Sequence, residues 1–190
     1  MNFGLISYGI LLYFLCFSAR NDALRNWDFE FLYIEATSSN EDLINASLKL
    51  EHAEIGKNSA SGFIDWKFDA DEHTMFQLRF LWSQSGRDND YKDNIYQVPM
   101  MTFYEFLDKY YMKVIYADWG SCSNFPNIGD KFVPPWNKTT YIFSKCDPQG
   151  VNYPDILPRG YHKLVCKIIG QAELVMQLIM KLTPRKNMLV

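Results

Sequence analysis

The side chains in this sequence best suited to chemistry are three histidines, four cysteines and a group of carboxylates. His52, His73 and His162 stand far apart, and none falls in a metal-ligand spacing such as H-x-x-E-H or beside a C-x-x-C pair. His162 and Cys166 share one face of a segment that reads as a strand. Four residues at about 3.3 Å each put them roughly 13 Å apart, too far for a thiolate–imidazole dyad. Both therefore read as structural. No G-x-S-x-G elbow, phosphate-binding P-loop or G-x-G-x-x-G turn occurs. Asp65, Asp69, Asp71 and Glu72 lack the order of a calcium-binding loop and sit at alternating or turn positions, as a solvated face does. The expectation is a protein with no catalytic residue, no metal and no cofactor, hence not an enzyme.

Composition narrows the partners. Lys and Arg number 19 against 22 Asp and Glu, a net charge of −3 with no basic run, which argues against nucleic acid. The first nineteen residues hold no charged side chain, and Leu5 to Phe17 is almost continuously apolar. That stretch is shorter than the ~20 residues a membrane-spanning helix needs. It reads as the core of a secretory signal with cleavage after Ser18, between small residues, although no basic residue precedes it. Residues 1–18 are thus expected to be a signal peptide and residues 19–190 a single secreted, extracellular domain. Cys16 would leave with the signal, so Cys122, Cys146 and Cys166 remain and at most one internal bridge can form. Asn45-Ala46-Ser47 and Asn137-Lys138-Thr139 are N-glycosylation sequons that fit this route.

The elements follow from periodicity. Trp27, Phe29, Phe31 and Tyr33 alternate with Asp28 and Glu30, and Ile44, Ala46, Leu48 and Leu50 with Asn45, Ser47, Lys49 and Glu51. Ile64, Trp66 and Phe68 continue the pattern, and after a turn so do Phe76, Leu78, Phe80 and Trp82. The period then changes. Phe103, Phe106, Leu107, Tyr110, Tyr111 and Val114 lie on one face of a helix over about residues 102–115, which Thr102 and Glu105 begin as a capping box. A turn-rich stretch from Ala117 to Gly160 holds one strand, Thr139 to Phe143. Leu164, Cys166 and Ile168, a Gly170-Gln171 turn, and Leu174, Met176, Leu178, Met180 and Leu182 form a closing hairpin. The fold predicted is mainly β, an antiparallel two-sheet sandwich of about seven strands with one helix.

The aromatic content is high: 14 Phe, 12 Tyr and 5 Trp, with 8 Met. The inward parity either forms an ordinary filled core or lines a pocket in a splayed sandwich, and parity alone does not separate the two. Candidate pocket residues are Trp66, Phe68, Phe76, Phe80, Trp82 and Phe103 on one side, with Met176 and Met180 on the other. Met suits apolar ligands of variable shape.

Four short segments carry a resemblance: Phe106-Leu107-x-x-Tyr110-Tyr111, Ser123-Asn124-Phe125-Pro126, Cys146-Asp147-Pro148-Gln149-Gly150, and Leu157-Pro158-x-Gly160-Tyr161-x-Lys163. In this order, over about Asn26 to Leu182, the chain resembles the insect CheB-type chemosensory proteins, which are related to the ganglioside-activator branch of the lipid-recognition sandwiches. Two positions depart: Asp147 stands where that family often has Pro, and no Cys lies at the helix start. With none there, Cys146 must pair with Cys122, pair with Cys166 or stay free. Cys122–Cys146 is favoured because both lie in turn-rich segments. The resemblance implies a cup-like sandwich that binds lipid-like or pheromone-like hydrophobes and works with a membrane chemoreceptor in taste or pheromone perception. The alternative is a structural or modulatory protein that binds a receptor or lipid hydrolase through its surface.

Overall fold

A computed structural model describes residues 25–54 and 57–185. The proposed signal peptide lies outside them. Nine strands, one long helical segment and a 3-10 turn at Asp88–Asp90 make up the regular elements of the described residues: β1 Trp27–Ser38, β2 Ile44–Glu54, β3 Lys57–Trp66, β4 Met75–Ser83, β5 Lys92–Asp93, β6 Val98–Thr102, β7 Thr139–Cys146, β8 Gly160–Ile169 and β9 Glu173–Pro184. All strand pairs are antiparallel. They form two sheets, as the alternating pattern predicts. The larger has the order β1-β9-β8-β4, with β5 and β6 both pairing along the outer side of β4. The smaller has the order β2-β3-β7.

The strands keep the predicted parity with one exception. Phe31 is buried and Tyr33 is exposed, although both lie on the apolar parity of the sequence. The β1–β9 register slips between Phe31 and Tyr33, so a bulge at Leu32 turns the following residues over. Ile34 and Ala36 then face the core in place of Tyr33.

The helical segment α1 spans 103–122 and outlasts the predicted end at about residue 115. It opens as an α-turn at Phe103–Phe106, where the Thr102 hydroxyl accepts the Glu105 backbone N–H at 3.2 Å. The reciprocal half of the capping box is replaced, because the Glu105 carboxylate pairs with Lys109 instead. From Leu107–Tyr116 the coil is π-helical, before an α-turn at Ala117–Trp119 and a 3-10 turn at Gly120–Cys122. The wider coil changes which side chains reach the core. Phe106 is followed inward by Tyr111, five residues on, and Ile115 and Trp119 then follow at intervals of four.

Cys122 at the end of α1 and Cys146 at the end of β7 are joined by a disulfide with a Cα–Cα distance of 5.2 Å. This ties α1 to the edge of the smaller sheet. Cys166, mid-strand in β8, is a free thiol. The sequon residue Asn137 is exposed, and Asn45 on β2 is half-buried opposite Asp65.

Gly62 in β3 is fixed by its surroundings. Its φ of 145° lies in the region that favours glycine, and a Cβ there would stand 2.0 Å from the Ser47 backbone carbonyl oxygen of β2. That oxygen belongs to the ladder and cannot give way. Gly129→Ala meets nothing within 4 Å and carries only the strain of a φ of 65°. In urea titrations Gly62→Ala is expected to cost at least about 2 kcal/mol and Gly129→Ala about 1 kcal/mol. Equal midpoints for the two would contradict the close β2–β3 approach.

Candidate functional site: an apolar cavity between the sheets

The two sheets and α1 wall a partly open cavity of about 160 Å³. Its floor is the larger sheet, and strand register arranges that floor in cross-strand rows. Leu78, Cys166 and Met176 form one row across β4, β8 and β9. The next row is Leu164, Leu178 and Ile34, and Phe76 with Ile168 forms the row on the other side. The opposite wall comes from the smaller sheet, through Leu48, Ile64, Trp66, Tyr141 and Phe143. Phe103, Phe106, Tyr111, Val114, Ile115 and Trp119 of α1 close a third side. Phe125, Trp136 and Tyr153 enter from the loops.

Of the sequence candidates, Trp66, Phe76, Phe103 and Met176 line this cavity. Four do not. Phe68 is buried against Trp66, with ring centroids 4.9 Å apart, and packs beneath the β8–β9 turn at Gly170. Phe80 and Met180 belong to a second buried cluster with Trp27, Phe31, Leu157 and Leu182. Trp82 is half-buried, and its indole N–H donates to the Arg159 carbonyl at 3.0 Å. Register accounts for Trp82 and Met180, whose row with His162 and Phe31 lies one step beyond the end of the cavity. Phe80 shares the last cavity row through its pairing with Leu164, but its ring stacks on His162 of the next row, and Phe68 lies past the end of β3.

Trp136 is the wall residue that periodicity could not reveal. It follows Pro134-Pro135 in a segment with no regular element, yet is 4% exposed. Its ring lies 5.4 Å from Phe103, 5.5 Å from Tyr111 and 5.4 Å from Tyr141. A lone Trp in a polar, proline-rich stretch is the one sequence signal that points to it.

The wall offers an occupant little polarity. The Tyr111 hydroxyl donates to the Pro126 carbonyl at 2.9 Å and the Tyr141 hydroxyl to the Asn137 carbonyl at 2.7 Å. Both turn their rings inward while their polar ends are satisfied elsewhere, and burial raises both phenol pKa values. Cys166 retains accessible surface, yet burial pushes its thiol up to about 12. That surface belongs to the cavity, and at neutral pH the thiol is protonated and unreactive. An engineered apolar cavity of about 150 Å³ admits benzene or xenon, and this one is similar in volume. The arrangement solvates an apolar group and supplies no nucleophile.

One loop is anchored where it enters. Asp118, 7% exposed near the end of α1, accepts the Val151 N–H at 3.1 Å together with the N–H groups of Gln149 and Gly150. Burial raises its pKa, and these three donors oppose the rise. The Arg25 guanidinium lies 4.2 Å over the Trp27 ring and donates to the Gln149 carbonyl. The turn that follows, closed by Tyr153 N–H to the Gly150 carbonyl at 3.1 Å, carries Tyr153 to the cavity.

Residues 78–164, from mid-β4 to mid-β8, match the model of a family described as a protein of unknown function (DUF1091). The match takes in α1, both half-cystines, Asp118, Trp136 and Tyr153. No curated protein matches the chain.

His162 separates from Cys166 as the strand spacing requires and stays outside the cavity. It is fully buried, its ring stacks 5.0 Å from Phe80, and Nε2 lies 2.9 Å from the Pro158 carbonyl oxygen. Nε2 therefore carries the proton, and Nδ1 has no partner. Burial lowers the pKa, against the smaller raising effect of the hydrogen bond. A lowered folded pKa means that the unfolded chain binds the proton first. Stability is full above about pH 6.5 and falls as pH drops below it, by up to ~1.4 kcal/mol per pH unit. Asp118 titrates with the opposite sign, so the difference between wild type and His162→Gln isolates the imidazole. The wild-type urea midpoint is expected to fall more steeply than that of His162→Gln between pH 7 and pH 5; parallel profiles would refute a buried neutral His162.

Proposed function

We propose that the protein is a secreted, non-enzymatic binding protein that carries a lipid-like or pheromone-like hydrophobic molecule in chemosensory perception. The observation that carries this reading is the apolar cavity between the sheets, walled by aromatic rings whose hydroxyls, at Tyr111 and Tyr141, are satisfied elsewhere. An ordinary core closes such a space, because apolar atoms facing a void forfeit their dispersion contacts. Met176 and Leu178 in the floor give the shape tolerance that a variable apolar ligand requires. A disulfide suits an oxidising compartment, and no described helix is long and apolar enough to cross a membrane. The four segments that resemble the insect CheB-type proteins support the chemosensory part, and a membrane chemoreceptor is the partner they suggest.

A second reading, a modulator that works through its surface on a receptor or a lipid hydrolase, draws on exposed apolar side chains in the loops. Ile95 is 84% exposed between β5 and β6, and Ile156 is 72% exposed before β8. Loop tips of this kind offer contacts without requiring an interior ligand.

A neutral environment-sensitive dye, N-phenyl-1-naphthylamine, separates the two. Saturable binding at micromolar protein, displaced by long-chain apolar molecules and lost in Cys166→Phe while the circular dichroism spectrum is kept, is the expected result. Binding without displacement, or no binding, favours the surface reading.

A further inference from the structure

The polar atoms of the cavity wall are not all accounted for. Tyr111 and Tyr141 donate to backbone carbonyls, and so does Trp66, to the Phe68 carbonyl at 2.7 Å. Three wall donors differ, and one is the half-buried Trp119 indole N–H, which has no hydrogen-bond partner among the described residues. The Trp136 Nε1 is buried without a hydrogen-bond partner, and it is so occluded that an occupant could reach it only by displacing neighbouring rings. The Tyr153 hydroxyl also has no hydrogen-bond partner among the described residues. Its residue is half-buried rather than sealed, and it lines the cavity. Burial raises its pKa.

Trp136 and Tyr153 mark opposite ends. Trp136 packs on Phe103, which lies beside Phe76. Tyr153 packs 6.3 Å from Phe80 and 6.3 Å from Trp27. Phe76 and Phe80 stand four residues apart on β4, roughly 13 Å along the strand. The cavity is therefore an apolar trough with the Tyr153 hydroxyl as a polar group at one end, the end where Trp119 stacks 6.4 Å from Phe31. A phenol hydroxyl donates to a carbonyl, ether or alcohol oxygen and also accepts from an alcohol. A carboxylate head is disfavoured there. Asp118 is close enough to raise the Tyr153 pKa further, and no Lys or Arg lines the cavity.

We propose that the ligand is a neutral, oxygenated apolar chain, an alcohol, aldehyde, ketone or ester, whose oxygen hydrogen-bonds to the Tyr153 hydroxyl. This rests on the carrier reading and sharpens it: a plain hydrocarbon leaves Tyr153 unsatisfied, and a fatty-acid anion brings an unpaired charge into an apolar site.

The test is displacement of N-phenyl-1-naphthylamine by an alkane, a methyl ketone, a primary alcohol and a carboxylate of one chain length. It is run on wild type and on Tyr153→Phe, with circular dichroism and the thermal midpoint as fold controls. In wild type the ketone and alcohol are expected to bind about fivefold tighter than the alkane, the increment of one buried neutral hydrogen bond, with the carboxylate weakest at pH 7.5. Tyr153→Phe should lose the preference for the ketone and alcohol over the alkane. The carbonyl stretch of the bound ketone in wild type, read by infrared difference, should lie below its value in alkane solvent, which needs no variant to fold. Equal binding of alkane and ketone, or an unshifted stretch, overturns the Tyr153 assignment and leaves the carrier reading standing. A preference that survives in Tyr153→Phe does the same and moves the oxygen elsewhere. If no apolar compound displaces the dye, the carrier reading falls and this inference with it.

Discussion

Everything in this structure follows from a mismatch in width: a six-stranded sheet must cover its apolar inner face, and its partner sheet has only three strands. The uncovered apolar area would cost about 25 cal/mol per Å² if left to water. Two things cover it, the helix α1 and the loops that bring Phe125, Trp136 and Tyr153 inward. The disulfide from Cys122 to Cys146 clamps that cover to the smaller sheet, and Asp118 clamps it to the loop at residues 149–151. A helix laid over a sheet beside a second sheet meets both at an angle, and the wedge left between them is the cavity.

The polar accounting shows how the cavity stays apolar. Rings face inward at Tyr111 and Tyr141 because the Pro126 and Asn137 carbonyls receive their hydroxyls. Beyond the end of the trough the same sheet is filled by Trp27, Phe31, Phe80 and Met180, and His162 sits there neutral. One sheet therefore presents two interiors, the cluster around Met180 at one end and a lined space at the other, which meet at the row Phe80, Leu164 and Leu178.

Much of this was legible in the sequence, for stated reasons. The period of two at Phe76–Leu78–Phe80 and in the closing hairpin marks strands with one apolar face, and the spacing from Phe103 to Tyr111 marks the helix and its buried side. The bulge at Leu32 was not legible, because in the apolar run Phe31-Leu32-Tyr33-Ile34 either parity could face the core. Nor was the π-helical widening that brings Ile115 and Trp119 inward and carries α1 to Cys122. Candidate wall residues divided by register: Trp66, Phe76, Phe103 and Met176 reach the cavity, while Phe80, Trp82 and Met180 lie at or beyond its end and Phe68 under a turn. Parity reports which face a residue takes and is silent on how far along the sheet the cover extends. Trp136 and Tyr153 come from irregular segments, where no period exists to read.

The central claim is that the space between the sheets is empty of protein and able to take an apolar guest. A crystal of the protein pressurised with xenon tests it without assuming any ligand. The account predicts a xenon peak enclosed by Trp66, Phe106, Cys166 and Met176, with side chains unmoved. A map in which those side chains have closed on one another, with no xenon between them, would contradict it.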